Sequence, residues 1–148
     1  MGLLDKLFGG GNKQGREEFA QAVKENNLPK AKALGEADRS VVNGKDFLGS
    51  TALHWAVHNK SAEAVRMVAG LGGKVDAPDA LGRRPLHWAV GEKSVEMAEL
   101  LLSLGADVNA KDKMGASPLS LYLVSAGVGK LMDRNDKIVQ LLKGRGAT

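Results

Sequence analysis

Cysteine is absent from all 148 residues. That excludes a disulfide framework and any reaction that needs a thiolate. No apolar run approaches membrane-spanning length, and no charged-then-apolar secretory leader is visible, so the expectation is a cytoplasmic protein. Histidine is scarce: His54, His58 and His87 are the three. With no cysteine or clustered carboxylate beside them, they do not make up a metal site, and His58 reads as a lone surface histidine. Gly127-Val128-Gly129-Lys130 echoes a phosphate loop but lacks the full spacing. No nucleophile, base and orienting group can be assembled, which predicts a non-enzyme that uses no cofactor and no metal. Basic residues are not interleaved with aromatics. The net charge of +4 divides into +2 over residues 1–45, −2 over 46–110 and +4 over 111–148. An acidic middle argues against nucleic acid as a partner.

The sequence does have a repeat. Asp46-Phe47-Leu48-Gly49-Ser50-Thr51-Ala52-Leu53-His54-Trp55-Ala56-Val57 returns 33 residues later as Asp79-Ala80-Leu81-Gly82-Arg83-Arg84-Pro85-Leu86-His87-Trp88-Ala89-Val90. A third copy opens with Asp112-Lys113-Met114-Gly115-Ala116-Ser117-Pro118-Leu119. A unit of this size cannot bury its own apolar face, so neighbouring copies must stack. Asp at the first position and Gly at the fourth predict a tight turn. Thr51 and Ser117 fit helix N-caps, with Ala52 and Pro118 at the first helical position. A first helix is predicted over residues 53–58 and 86–90, and a second, capped by Ser61 and Ser94, over 62–69 and 95–103. Gly72 and Gly105 suit left-handed stops. Trp55 and Trp88, flanked by Leu and Ala, read as core or inter-repeat packing.

The segments Thr51-Ala52-Leu53-His54-Trp55-Ala56 and Arg84-Pro85-Leu86-His87-Trp88-Ala89 resemble the ankyrin repeat, whose signature is T-P-L-H-x-A at this period. Leu100-Leu101-Leu102-Ser103-Leu104-Gly105-Ala106-Asp107-Val108-Asn109-Ala110 matches the second half of that pattern. The resemblance implies an all-α ankyrin-repeat solenoid of helix-turn-helix units joined by β-hairpin-like loops, with His54 and His87 bracing adjoining repeats. Ala52 for Pro, Arg84 for Thr, and Ser117 and Ser120 for Thr and His depart from the pattern, which weakens caps and one inter-repeat hydrogen bond.

On this reading residues 15–45 form an N-terminal capping repeat, 46–78 and 79–111 full repeats, and 112–148 a C-terminal cap. Phe19, Ala20 and Val23 would face inward in the first cap, with Pro29 opening its second helix. Leu121, Leu123, Ile138, Leu141 and Leu142 would do so in the last, which carries about eight extra residues within 125–135. Residues 1–14 form a separate flexible segment, starting with an amphipathic run (Leu3, Leu4, Leu7, Phe8) and a Gly9-Gly10-Gly11 tether. Lys6 stands where myristoylation at Gly2 would want Ser or Thr.

Function must then come from surface. In ankyrin proteins the hairpin tips and inner helices line a concave face that grips another protein. By position that face is Phe47, Leu48, Ser50, His58 and Asn59, then Ala80, Leu81, Arg83 and Glu92, then Lys113, Met114 and Ala116. Leu48, Leu81 and Met114 repeat an apolar residue where a water-facing turn would be polar. The expectation is a monomeric adaptor or inhibitor that binds a partner protein. The alternative is a membrane-recruited regulator anchored by residues 1–8, which carry one basic residue where stable anchoring needs a second signal.

Overall fold

The computed structural model describes residues 13–127 and 136–148. The amphipathic run at residues 1–8 and most of the extra segment at 125–135 lie outside the described residues. The chain forms two compact units, one ending at Lys74 and the other starting at Val75. Both are helical, with eight α-helices among the described residues.

The first unit contains α1 (Lys13–Lys24), α2 (Leu28–Ala37), a 3-10 turn (Arg39–Val41), α3 (Ala52–His58) and α4 (Ala62–Gly70). Phe19, Ala20, Ala22 and Val23 fall on one face of α1, and all four are buried where α1 packs on α2 and α3. Asn27 caps α2 by accepting from the Lys30 N–H, and Pro29 sits in the first turn, where its missing donor costs nothing. Helix α3 buries Leu53, Ala56 and Val57 and packs on α4, which buries Ala64, Val65 and Val68. Ser61 caps α4 by accepting from the Ala64 N–H. Beyond α4, Gly72 adopts φ +101°, a left-handed angle open to glycine at little cost.

The second unit repeats the scheme with α5 (Pro85–Gly91), α6 (Val95–Ser103), α7 (Pro118–Ala126) and α8 (Lys137–Gly144). Helix α5 packs on α6 and α7, and α6 on α8. The buried face of the last pair differs from the sequence expectation. Ile138 and Leu142 are buried, but Leu121, Leu123 and Leu141 are only partly covered, and Leu119, Tyr122 and Val139 are buried with them. Helix α7 starts at Pro118, so helical spacing from Leu119 brings Tyr122 inward and leaves the leucines beside it on the flanks. Tyr122 buries its ring and donates its hydroxyl to Asp136, whose other oxygen caps α8 by accepting from Ile138 and Val139.

A side-chain clasp recurs at one register position. Asn43 donates to the Gly72 carbonyl (2.9 Å) and accepts from the Lys74 N–H (2.7 Å). In the second unit, Asn109 donates to Gly146 O (3.0 Å) and accepts from Thr148 N–H (3.1 Å). Asn43 reaches 29 and 31 residues ahead, Asn109 reaches 37 and 39, and the difference of eight is the extra length in the last repeat. Between them stands Asp76, which accepts from Asp107 N–H at 3.1 Å but has no amide to donate to Gly105 O. Asp76→Asn should therefore complete the clasp and raise the unfolding free energy by about 0.5–1.5 kcal/mol. Chemical denaturation measures this, and an unchanged or lower midpoint would contradict it.

Candidate protein-binding surface

Each turn is built around its aspartate. Asp46 Oδ1 accepts from the Leu48 and Ser50 N–H groups, both at 2.9 Å. Its backbone N–H donates to Ser50 O, and its carbonyl accepts from Gly49. Asp79 and Asp112 repeat every one of these bonds, to Leu81, Arg83 and Gly82 and to Met114, Ala116 and Gly115. The glycines take φ +76°, +75° and +79°. Gly82 is needed twice over, because a Cβ there would sit 2.8 Å from the Lys113 backbone nitrogen.

The second carboxylate oxygen ties the turn to the following helix. Trp55 Nε1 donates to Asp46 Oδ2 (2.8 Å) and Trp88 Nε1 to Asp79 Oδ2 (2.9 Å). Both indoles are half-buried, so of the two expected roles, core or inter-repeat packing, the core one does not hold: their N–H groups are turned to the turn carboxylates and their rings reach the surface. A cation lies over each ring, Lys24 at 4.5 Å and Arg83 at 5.6 Å from the centroid. In the third copy Leu121 stands nine residues after Asp112, and the indole bond has no counterpart.

Burial works to raise the carboxyl of Asp79. It is outweighed by bonds from Trp88 Nε1 and the Arg83 and Leu81 N–H groups and by the Arg83 guanidinium, which together hold it below the usual carboxylate range. His87 is also buried. Its Nδ1 accepts from the Arg84 N–H (3.0 Å), so its proton is on Nε2, which donates to the Ala116 carbonyl at 2.8 Å. Protonation would replace that acceptor by a donor. Burial pushes the imidazole's pKa below its ordinary value, against the pull of the Ala116 carbonyl and of Asp112. Ser120, in the histidine's place, accepts from the Ser117 N–H but bonds only within 117–120.

The surface residues named from sequence divide into two groups. Phe47 is 91% exposed, Leu48 52%, Leu81 57% and Met114 90%. Ala80, Lys113 and His58 are also exposed, and His58 sets its ring edge-on to Trp55. Arg83 and Glu92 are half-buried, Arg83 bonding Asp79. One expectation needs correction. Ser50 is 3% exposed, because its backbone closes the turn on Asp46. Asn59 is exposed, with its amide donating to the Val23 and Lys24 carbonyls, where it caps α1. Ala116 contributes its carbonyl to His87 and is half-buried.

In the first unit a groove of about 190 Å³ runs between α1 and the turn, lined by Glu17, Gln21, Lys24, Asp46, Phe47 and Trp55. A wider groove of about 700 Å³ separates α2 from α4, with Leu28, Met67 and Leu71 among its apolar lining and Lys32, Arg39 and Arg66 among its charges. Among the described residues no cluster of three or more His, Asp or Glu could hold a metal. No described helix is long and apolar enough to cross a membrane.

The histidine geometry makes stability pH-dependent. His87 contributes fully above its unfolded value of about 6.5, and that contribution falls as pH drops from there towards its lowered folded value. Asp79 adds a second loss, present in full above about 3.9 and lost as pH falls through its own lowered value. Denaturant unfolding should therefore show lower stability at pH 5.5 than at pH 7. His87→Gln should be less stable at pH 7 but lose less between the two; an equal loss would remove His87 from the account.

A family model of ankyrin repeats, three copies, matches residues 19–112. No curated protein matches the chain. With more than half the chain inside that match, and turn, inner helix and outer helix recurring as above, the chain belongs to the ankyrin-repeat family.

Proposed function

We propose that the protein is an adaptor or inhibitor that grips a partner protein with its turn tips and the helix ends beside them. Ankyrin repeats are generally protein-interaction modules, and fold-level analogy carries no more than that. The observation that carries the finer reading is the exposure of Phe47, Leu48, Leu81 and Met114 on turns each closed by four hydrogen bonds to their aspartate. A turn that only met water would gain nothing from such side chains. Because the loops are already ordered, binding does not have to order them, and more of the interaction free energy appears as affinity.

Leu48, Leu81 and Met114 changed together to Asp should leave circular dichroism and unfolding almost unchanged, since no core contact is lost. Full burial of such side chains is worth about 1.5–3 kcal/mol each, so affinity for a captured partner should fall at least a hundredfold even with partial burial. Arg66→Ala and Glu99→Ala, exposed on α4 and α6, serve as controls that should leave binding intact. Undiminished affinity in the triple variant would refute the proposal, and unfolding of the variant would return the three residues to the core.

A further inference from the structure

The two tryptophan faces are not equivalent. Arg83, over Trp88, belongs to the same turn and is pinned by its Nε to Asp79 Oδ2 at 2.9 Å. Lys24, over Trp55, comes from a different element, being the last residue of α1, and its side chain is exposed. Its Nζ lies 4.5 Å from the ring centroid, and it forms no ion pair among the described residues. The Trp55 face is therefore a cation site whose present occupant is held by the ring alone.

The surroundings favour a cation over an anion. Glu17 and Asp46 both line the groove, and Lys24 is the one cation among its described lining residues. The Asp46 carboxylate accepts from the Leu48 and Ser50 N–H groups and the Trp55 indole. Glu17 is exposed and makes no ion pair among the described residues. Gln21 bonds Glu25 at 2.7 Å, which holds a third carboxylate just past the end of α1. The groove's volume of about 190 Å³ suits one large side chain, and exposed Phe47 forms its apolar wall.

From this we infer that the first unit's tip carries a subsite for an arginine or lysine of a partner peptide, flanked by an apolar residue. The partner's cation takes the place of Lys24 over Trp55 and gains Glu17 as a counter-ion, while the apolar neighbour packs on Phe47. Arginine suits the site better, since its planar guanidinium can stack on the indole and fork onto a carboxylate at once. An acidic residue in the same place would meet Glu17 and Asp46. The inference rests on the protein-binding reading above.

The test uses the full chain, isotopically labelled, and three peptides, acetyl-Gly-Leu-X-Leu-Gly-amide with X as Arg, Gln or Glu. The indole N–H signals of Trp55 and Trp88 report binding. The Arg peptide should bind about two- to fivefold tighter than the Gln peptide, the worth of one exposed cation–π contact, and should move the Trp55 signal alone. Lys24→Ala should tighten the Arg peptide by a similar factor, and Glu17→Gln should weaken it, both leaving the Trp88 signal in place as evidence of folding. Equal binding of Arg and Gln peptides would overturn the subsite while leaving the tip as a binding surface. So would preference for the Glu peptide, weaker or unchanged Arg-peptide binding in Lys24→Ala, or equal shifts at Trp88. Failure of all three peptides to bind would overturn both the subsite and the reading of this tip as protein-binding.

Discussion

Everything in these repeats hangs on a carboxylate at the start of a turn. With Oδ1 accepting two backbone N–H groups of the turn, Asp46, Asp79 and Asp112 each do locally what a strand partner would otherwise do. Hydrogen bonds to a charged group are worth about 1.5–3 kcal/mol each, against about 0.5–1.5 for neutral ones, so a short loop can be held without a core of its own. Asp79 is 4% exposed, and the burial cost of its charge is met by four donors. Removing any one of them would leave a buried carboxylate short of a partner, which is worse than losing a single bond from the surface.

The third copy shows which parts of this arrangement are separable. Leu121 and Ser120 replace tryptophan and histidine, so Asp112 keeps its turn but loses the indole, and Ser120 keeps the local cap but reaches no further. The turn survives because its bonds are all within five residues. In the second unit it is also supported from outside, by the Lys113 N–H donating to the Leu81 carbonyl at 3.0 Å. That link needs the two turns to approach so closely that Gly82 has no room for a side chain.

What the sequence made legible follows the same division. Turns, caps at Ser61, Ser94 and Ser117, and left-handed stops at Gly72 and Gly105 were readable because each depends on residues a few positions apart. The core face of α1, with Phe19, Ala20 and Val23, followed from periodicity. The Asn43 and Asn109 clasps left no local signal, since their partners are 29–39 residues away. Nothing local marked Asn59 as the cap of α1 or Lys24 as the cover of Trp55. The aspartate–tryptophan pair did leave a signal, a nine-residue spacing present twice and broken at Leu121, but hydrophobicity pointed both indoles inward. Lys60 and Lys93 hold left-handed angles of φ +54° and +56° between their helices, a place where sequence preference would have put glycine or asparagine, as Asn26 does.

The same hydrogen-bond pattern frees the candidate surface from the fold. In each turn the bonds run to backbone N–H groups, the aspartate and the closing residue, so no hydrogen bond holds the side chains between Asp and Gly in the first turn or the third. Phe47-Leu48, Ala80-Leu81 and Lys113-Met114 occupy the same backbone positions with different chemistry, and the backbone angles of the glycines that follow differ by only a few degrees. A turn whose shape is indifferent to its tip residues can present apolar, small or charged groups without refolding. On the proposed reading, stability and recognition fall to different atoms of the same five residues: the aspartate and the backbone for the one, the two side chains at the tip for the other.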